Sequence, residues 1–246
     1  MSGILLSERD GAVNTLTLNR PDKRNALSTE LVEALIDRVD EATRDGTRLL
    51  VLRGEGKSFC AGFDFTGLEE QSDGNLVLRF IRLEMLLQAV HHAPFATIAL
   101  AHGACYGAGA DLVAVCGSRI GAPGTKFRMP GLRFGIALGT RRLAELIGVD
   151  EARRLLETSA IFDSEDALNC GFIQEIQAAD VWAEAITRAS AAALGLPDYG
   201  QQLLYQQTRP DRRNADLAAL VRSAAAPGLK TRIQAFLAAR QNAQML

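Results

Sequence analysis

Two glycine-rich turns that directly follow apolar stretches constrain the fold of this chain most strongly. RLLVLRGEG (48–56) is typical of a short buried strand and leads into SFCAGFDF (58–65). TIALAHGA (97–104) has the same character and leads into CYGAGADL (105–112), through which a helix is predicted to begin. Glycine and alanine at such turns let a ligand approach the main chain, whose free N–H groups point outward with the positive end of the helix dipole behind them. The turns therefore predict a site for an oxygen that acquires negative charge.

The residues of these turns do not match the common nucleotide-binding or nucleophile motifs. GAGADL (107–112) is not GxGxxG, and no acidic residue ends a following strand at the usual distance, which argues against a dinucleotide-binding fold. The chain contains neither GxxxxGK followed by Ser or Thr nor a Ser within GxSxG. The chemistry that remains is that of main-chain N–H groups.

Strands and helices alternate over the first two thirds of the chain, and the rest is almost entirely helical. Asp10-Gly11 predicts a hairpin turn, Ser28 an N-cap, and Pro94 the end of a helix. With 246 residues, of which 48% are hydrophobic, the chain is long enough to bury a large core. We predict an α/β fold in two parts, a core over residues 1–195 and a helical C-terminal region over residues 196–246.

Charge and cysteine content narrow the classes of partner and compartment. Lys and Arg total 27 against 29 Asp and Glu, so a nucleic-acid or anionic-membrane partner is not expected. No apolar run approaches the roughly 18 residues of a spanning helix, and MSGILLSERD turns charged too early for a signal peptide, which predicts a cytoplasmic protein. The four cysteines lack CxxC spacing and a nearby His cluster, so they are expected to be small buried side chains without a disulfide or a metal: Cys60, Cys105, Cys116 and Cys170.

Four ordered motifs carry a resemblance to a known family. They are NRPDKRNALS (19–28), GKSFCAGFDF (56–65), HGACYGAGADLVAVC (102–116) and FRMPGLRFGIALGTRRLAELIG (127–148). Through them the chain resembles the enoyl-CoA hydratase/isomerase (crotonase) superfamily. The resemblance implies a crotonase-like (ClpP/crotonase) spiral of repeated strand-strand-helix turns with a helical C-terminal trimerisation region. It also implies an acyl-CoA thioester as substrate, no cofactor beyond that coenzyme A, and a homotrimer or a dimer of trimers.

The resemblance assigns the two oxyanion donors to the main chain. By position they are the backbone N–H groups of Phe63 and Ala108, which would stabilise the enolate oxygen of the thioester. Ala61, Gly62 and Gly107 belong to the same two turns and are assigned to substrate binding. Family members usually have a small residue at both donor positions, so the benzyl group of Phe63 is expected to narrow the acyl pocket.

The catalytic acids depart further from the family pattern. In the hydratases two glutamates activate the water and transfer the α-proton. The first of these positions is Asp111 in this chain, and the second is Gly131. Asp111 alone could shuttle one proton, as a double-bond isomerase requires, and burial is expected to raise its pKa. The alternative is that Asp111 only caps its helix. Tyr106 and His102 are weaker candidates for the missing acid.

Contacts with coenzyme A are predicted at three positions. Arg24 and Lys57 lie where a basic side chain could reach the phosphates, with a solvated surface position as the alternative. Phe236 resembles the residue that reaches the adenine bound by a neighbouring subunit, and its alternative is the apolar face of an amphipathic helix.

Three further side chains near the motifs have open interpretations. Asp64 is expected to make a structural hydrogen bond or to lie near the adenine, and Arg128 and Arg133 flank position 131, where they could contact a carboxylate on the acyl group. Enoyl-CoA hydration or isomerisation is the expected activity. The alternatives are decarboxylation or thioester hydrolysis, for which Gly131 leaves room, and a catalytically silent protein that binds acyl-CoA.

Overall fold

The computed structural model describes residues 3–244, and within them the chain forms nine strands and ten α-helices. The strands are β1 (Leu5–Asp10), β2 (Val13–Leu18), β3 (Leu49–Gly54), β4 (Ala96–Ala101), β5 (Ala104–Tyr106), β6 (Ser118–Gly121), β7 (Lys126–Arg128), β8 (Phe162–Asp163) and β9 (Glu175–Ile176). The helices are α1 (Thr29–Ala42), α2 (Asp73–His91), α3 (Ala108–Ala114), α4 (Thr140–Ile147), α5 (Val149–Thr158), α6 (Ser164–Asn169), α7 (Trp182–Leu194), α8 (Asp198–Thr208), α9 (Arg213–Ala224) and α10 (Leu229–Gln244).

The strands form a large sheet and a small one. The large sheet has the order β1-β2-β3-β4-β6-β9, in which β1 and β2 are the predicted antiparallel hairpin and all other neighbours are parallel. The small sheet has the order β5-β7-β8, with β5 and β7 parallel and β7 and β8 antiparallel. This mixed α/β architecture of repeated strands and helices confirms the predicted fold class.

Short extended segments from successive repeats pair in parallel and hold the two glycine-rich turns together. Leu27 forms a parallel bridge with Phe63, and Cys60 forms one with Cys105, the central residue of β5. β5 then pairs in parallel with β7. Each repeat therefore contributes a strand to the large sheet and then an extended segment to this second layer, which is the path of a spiral.

Local sequence signals explain where the first two long helices begin. The Ser28 hydroxyl accepts a hydrogen bond from the Leu31 amide at 3.3 Å, which confirms the predicted N-cap of α1. Ser72 caps α2 in the same way through the Asn75 amide at 3.1 Å. α2 ends at His91, ahead of Pro94, as predicted.

The core has two parts, one on each side of the large sheet. The larger cluster packs α1, α2 and α3 against the sheet through side chains such as Leu16, Leu52 and Leu87. The smaller one consists of Leu49, Val51, Ile98, Leu100, Ile120 and Ala185, with Trp182 of α7 packed against it. The central strands read as continuous apolar runs because both of their faces are covered.

One expected strand is divided in two. TIALAHGA is split between β4 and β5, because Gly103 has φ +58° and a Cβ there would lie 2.0 Å from the carbonyl oxygen of Lys57. The chain turns at this glycine from the large sheet into the second layer. Further along the chain, the short strand Lys126–Arg128 is followed by a 3-10 helix that begins at Gly131, directly after Pro130.

The helical C-terminal region packs back onto the earlier part of the chain. α9 and α10 both contact α2, and α10 also contacts the 3-10 helix Gly131–Phe134. The predicted boundary after residue 195 falls between α7 and α8; the outer ends of the two predicted segments, residues 1–2 and 245–246, lie outside the described residues. Across residues 3–244, no helix is both long and apolar enough to cross a membrane.

Candidate active site

A narrow cavity of about 60 Å³ is bordered by both glycine-rich turns, by α2 and by α10. Most of its wall is apolar, and five phenylalanines contribute to it. The residues of the wall that the sequence had singled out are Ala61, Phe63, Tyr106, Gly107, Ala108, Asp111, Arg128, Gly131 and Phe236. The fold therefore brings together both predicted amide donors, the one predicted acid and the position of the missing acid.

The two turns touch at Gly62, which has no room for a side chain. Its φ is +88°, and a Cβ there would lie 2.3 Å from the Tyr106 carbonyl oxygen and 3.3 Å from the Ala108 amide nitrogen. Gly109 is restricted in the same way, because its Cβ would lie 2.3 Å from the Cys60 carbonyl oxygen. Glycine at these positions lets the main chains of the two turns approach each other closely.

The amide hydrogens of Phe63 and Ala108 are both left without an acceptor. In the parallel bridge between Leu27 and Phe63, the Leu27 amide donates to the Gly62 carbonyl oxygen at 2.7 Å and the Asp64 amide donates to the Leu27 carbonyl oxygen at 3.3 Å. Neither hydrogen bond involves the Phe63 amide. Ala108 is the first residue of α3, where a helix has no internal acceptor for the amide. Among the described residues, neither amide has a hydrogen-bond acceptor. Ala108 also has the negative φ that makes Ala for Gly a mild change.

Asp111 is buried one helical turn after the Ala108 amide. It is 3% exposed, and its Oδ1 accepts no hydrogen bond from the described part of the chain. The interpretation of Asp111 as a helix cap is wrong, because the N-cap is Gly107 and no side chain caps α3. Burial raises the pKa of the Asp111 carboxyl well above its ordinary value; the Arg142 guanidinium opposes this rise and the Glu84 carboxylate adds to it.

The Asp111 carboxylate lies directly against Gly139, the N-cap residue of α4. Gly139 has φ +66°, and a Cβ on it would be 1.7 Å from Oδ1 and 2.6 Å from Cγ of Asp111. The Asp111 carboxyl group can therefore occupy this position only because Gly139 has no side chain. The sequence contained a signal for this position, since a glycine before TRRL is typical of a helix boundary, but it did not indicate the contact.

A buried ion pair lies next to this carboxyl group and was missed at the sequence level. Arg142, in the first turn of α4, donates two hydrogen bonds to Glu84 of α2, at 2.8 Å and 2.6 Å. Asp216 of α9 lies 3.4 Å from the same guanidinium, and the Gln88 amide donates to Glu84 at 2.8 Å. Glu84 is 1% exposed. The sequence did contain a signal for this ion pair: Glu84 lies on the buried face of a predicted helix, and a buried charge needs a partner.

Gly131 lies in the cavity wall, but its surroundings leave little space. The Ile136 amide donates to the Gly131 carbonyl oxygen at 2.9 Å, which folds the loop back on itself. A Cβ at position 131 would lie 3.0 Å from the Ile136 carbonyl oxygen, closer than ordinary van der Waals contact. A side chain at position 131 would therefore press against the Ile136 carbonyl group, whereas the expectation that Gly131 leaves room for another reaction stays a prediction.

The comparison with known proteins identifies the family. The family described as Enoyl-CoA hydratase/isomerase matches residues 8–221 of the chain. The chain belongs to the enoyl-CoA hydratase/isomerase family. The family resemblance inferred from the four motifs is thereby confirmed.

Individual members of the enoyl-CoA hydratase/isomerase family are similar over most of the chain. A crystal structure from Bordetella parapertussis, provisionally named an enoyl-CoA hydratase/isomerase, is 50% identical, has a TM-score of 0.95 and covers 96% of this chain and 99% of its own. A probable enoyl-CoA hydratase of Mycobacterium tuberculosis, echA6, is 34% identical over 79% of each chain. The human ethylmalonyl-CoA decarboxylase is 32% identical over 70% of this chain and 57% of its own length.

Three of the residues predicted to contact coenzyme A lie outside the wall of the narrow cavity. Arg24 and Lys57 are exposed and do not line the cavity, but the Arg24 carbonyl oxygen accepts the Ala61 amide at 2.9 Å and thus supports the first turn. Asp64 makes structural contacts: an ion pair with Arg20 at 2.8 Å and a hydrogen bond from the Thr66 amide.

Some of the other residues that the sequence singled out line the narrow cavity, and others lie outside it. His102 lies outside the cavity wall, with Nε2 3.0 Å from the Gly56 carbonyl oxygen, whereas Tyr106 lies within it. Arg128 lines the cavity and donates from Nε to the Ser159 carbonyl oxygen, while Arg133 lines only a neighbouring cavity. Phe236 lines the cavity of its own chain, 5.1 Å from the ring of Phe134.

The cysteines and other metal-ligating side chains form no further centre in the part of the chain described. All four cysteines are free; three are buried and Cys170 is half-buried. Burial raises the pKa of Cys60 to about 12, so its thiol stays neutral beside the first turn. Over residues 3–244, no three His, Cys, Asp or Glu side chains gather as metal ligands would.

Proposed function

We propose that this family member is an acyl-CoA enzyme that forms a thioester enolate, with enoyl-CoA isomerisation or hydration as its reaction. The observation that carries the proposal is the pair of unpartnered amides, Phe63 and Ala108, on two turns in contact with each other. A thioester oxygen that accepts both N–H groups would gain stabilisation as its negative charge develops. Loss of one such donor typically lowers kcat by about 10²–10³-fold.

Asp111 would act as the acid and base beside this oxyanion hole. In isomerisation its carboxylate takes a proton from the carbon next to the thioester carbonyl, and the electron pair moves into the enolate. The same carboxyl group returns the proton to the γ-carbon, at the far end of the original double bond, and the double bond then joins the α- and β-carbons. A raised pKa suits both steps, since a group that holds and releases a proton near neutral pH is most effective. Hydration would require the Asp111 carboxyl group both to activate the water and to protonate the α-carbon, because position 131 is glycine and offers no second acid.

The mouth of the cavity has the charge expected for coenzyme A. Arg128, Arg133, Arg232 and Arg240 contribute to the wall of a larger cavity of about 800 Å³ that shares Tyr106 and Phe236 with the narrow one. No Asp or Glu is among the described residues of this wall. We assign the thioester to the narrow cavity and the anionic phosphates to this basic mouth. Coenzyme A then enters as part of the substrate and no separate cofactor is needed.

Quaternary structure and location are part of the same proposal. A homotrimer or a dimer of trimers, and a cytoplasmic location, rest on the family resemblance. Exposed apolar side chains on and between α7 and α8 support a subunit contact: Leu194, Leu196, Tyr199, Leu203 and Leu204.

Decarboxylation is a second candidate reaction. It also produces an enolate, because the electrons of the broken carbon–carbon bond move to the thioester oxygen as CO₂ leaves. The protonated Asp111 would then supply the proton to the α-carbon, and Arg128 in the cavity wall would meet the departing carboxylate. The human ethylmalonyl-CoA decarboxylase among the relatives favours this candidate.

Turnover and binding measured together test the proposal. Crotonyl-CoA hydration and the isomerisation of a 3-enoyl-CoA are assayed on wild type, on Asp111→Asn and on the exposed-site control Asp180→Asn, with calorimetric binding alongside. We expect Asp111→Asn to lose at least about 100-fold in kcat while retaining binding, as for a general acid/base. Binding without turnover in any variant would contradict both reactions.

The decarboxylation candidate needs its own substrate. CO₂ release from ethylmalonyl-CoA is measured on wild type and on Arg128→Met. Release that depends on Arg128, with no hydration or isomerisation, would replace the first reaction by the second. An absence of binding to every thioester would overturn the proposed function as a whole.

A further inference from the structure

Phe63 lines two cavities. It belongs to the wall of the narrow cavity described above and to the wall of a groove of about 250 Å³. The groove lies between α1 and α2 and is mostly apolar; besides Phe63 it is lined by Leu27, Thr29, Val32, Glu33, Leu78, Arg79, Arg82 and Leu83. Phe63 is the one residue that the described walls of both spaces share.

The ring of Phe63 is held in place by its neighbours. It stacks on Phe80 with 4.5 Å between ring centroids and an interplanar angle of 18°, and the Arg79 guanidinium lies 4.1 Å from its centroid. Arg79 is itself fixed by hydrogen bonds to the Asp64 carbonyl oxygen at 2.7 Å and to the Gln71 side chain at 3.0 Å. The stacked ring and the cation both favour this one orientation of the Phe63 side chain.

We propose that the Phe63 side chain is the partition that ends the acyl cavity and restricts this chain to short acyl-CoA thioesters. The inference rests on the proposed function, because it places the thioester carbonyl at the Phe63 amide. The donor is main chain and the partition is side chain, so one residue would supply both an oxyanion contact and a length limit. Shortening the side chain would join the narrow cavity to the groove between α1 and α2, which could then accept a longer acyl tail.

The size of the effect follows from hydrocarbon burial. Each CH₂ transferred from water into an apolar site strengthens binding roughly fourfold. An octanoyl chain has four more carbons than a butyryl chain, so full burial would favour it by roughly 250-fold. Because a newly joined cavity packs imperfectly, we expect a change of at least about tenfold in the ratio of the two dissociation constants.

Saturated thioesters allow the test to be made without turnover. Dissociation constants of butyryl-, octanoyl- and dodecanoyl-CoA are measured by calorimetry on wild type, Phe63→Ala and the matched control Leu78→Ala. Leu78 borders the groove but not the narrow cavity. We expect wild type and Leu78→Ala to bind butyryl-CoA most tightly, and Phe63→Ala to shift the preference toward octanoyl-CoA by at least about tenfold.

The outcomes distinguish the inference from the proposed function. A wild-type protein that binds dodecanoyl-CoA more tightly than butyryl-CoA, or a Phe63→Ala variant with the wild-type preference, would overturn the partition. A wild-type protein that binds no acyl-CoA would overturn the proposed function instead. Should Phe63→Ala fail to fold, Phe63→Leu keeps most of the buried volume and is expected to shift the preference in the same direction, by a smaller factor.

Discussion

Gly139→Ala tests whether the placement of the Asp111 carboxyl group controls catalysis. The substitution adds one carbon atom outside the narrow cavity, since Gly139 does not line it. The new Cβ would lie 1.7 Å from Oδ1 of Asp111, whereas ordinary van der Waals contact begins at 3.4 Å. The carboxyl group must therefore move, or the first turn of α4 must shift away from α3.

The magnitude follows from this displacement. A misplacement of about 1 Å in a reacting group can lower the rate roughly 100-fold, so we expect kcat to fall by about that factor with KM nearly unchanged. The left-handed φ of +66° adds a cost that is independent of the contact. For a non-glycine residue it amounts to about 1–2 kcal/mol, or a melting temperature lower by roughly 2–4 °C per kcal/mol in a chain of this size.

Gly171→Ala is the matched control. Gly171 has φ +81°, and a Cβ there would meet no atom within 4 Å. Both variants should lose the melting temperature that the left-handed φ costs, and Gly139→Ala should lose more because of its contact with Asp111; only Gly139→Ala should lose kcat on the best enoyl-CoA substrate. If Gly139→Ala is folded and turns over within about threefold of wild type, the reasoning that links this contact to catalysis is refuted.

Three further predictions concern the same region. Because burial raises the pKa of Asp111, the folded chain keeps a proton that the unfolded chain releases, so stability is lost as pH rises from the unfolded toward the folded pKa. Asp111→Asn should therefore raise the melting temperature at about pH 8 but not at about pH 4; equal effects at both would contradict this. Arg142→Met leaves Glu84 buried without its cation and should cost about 3–5 kcal/mol in urea unfolding; a cost below about 1 kcal/mol would show that the pair is not structurally important. Gly62→Ala places a Cβ 2.3 Å from the Tyr106 carbonyl oxygen and should part the two turns, with kcat about 10²–10³-fold lower; unchanged kinetics would show that their spacing is not critical.

Local sequence signals predicted much of the secondary structure and the content of the site. Local patterns were enough to predict three elements, because each depends on neighbouring residues: the Asp10-Gly11 hairpin, the Ser28 cap and the apolar strand β3. The motifs brought Phe63, Ala108 and Asp111 into one expected site, and the structure places all three in one cavity wall. The catalytic roles of these residues stay predictions.

Contacts between distant parts of the chain could not be predicted in this way. Glu84 and Arg142 are 58 positions apart, and nothing near either residue indicates its partner. The same holds for the approach of Gly139 to Asp111 and for the Ile136 carbonyl oxygen that closes the space at Gly131. Their positions depend on how α2, α3 and α4 pack, which no local pattern encodes.

The sequence by itself determined the family, the alternation of strands and helices, and the residue types available for chemistry. It did so because motifs, caps and apolar periodicity act over a few neighbouring residues. Only the tertiary structure decided that the Phe63 and Ala108 amides are unpartnered, that a glycine makes room for the Asp111 carboxyl group, and that Phe63 borders two cavities. These features arise where separate repeats of the spiral meet, because hydrogen-bond saturation and free volume are properties of the packed chain.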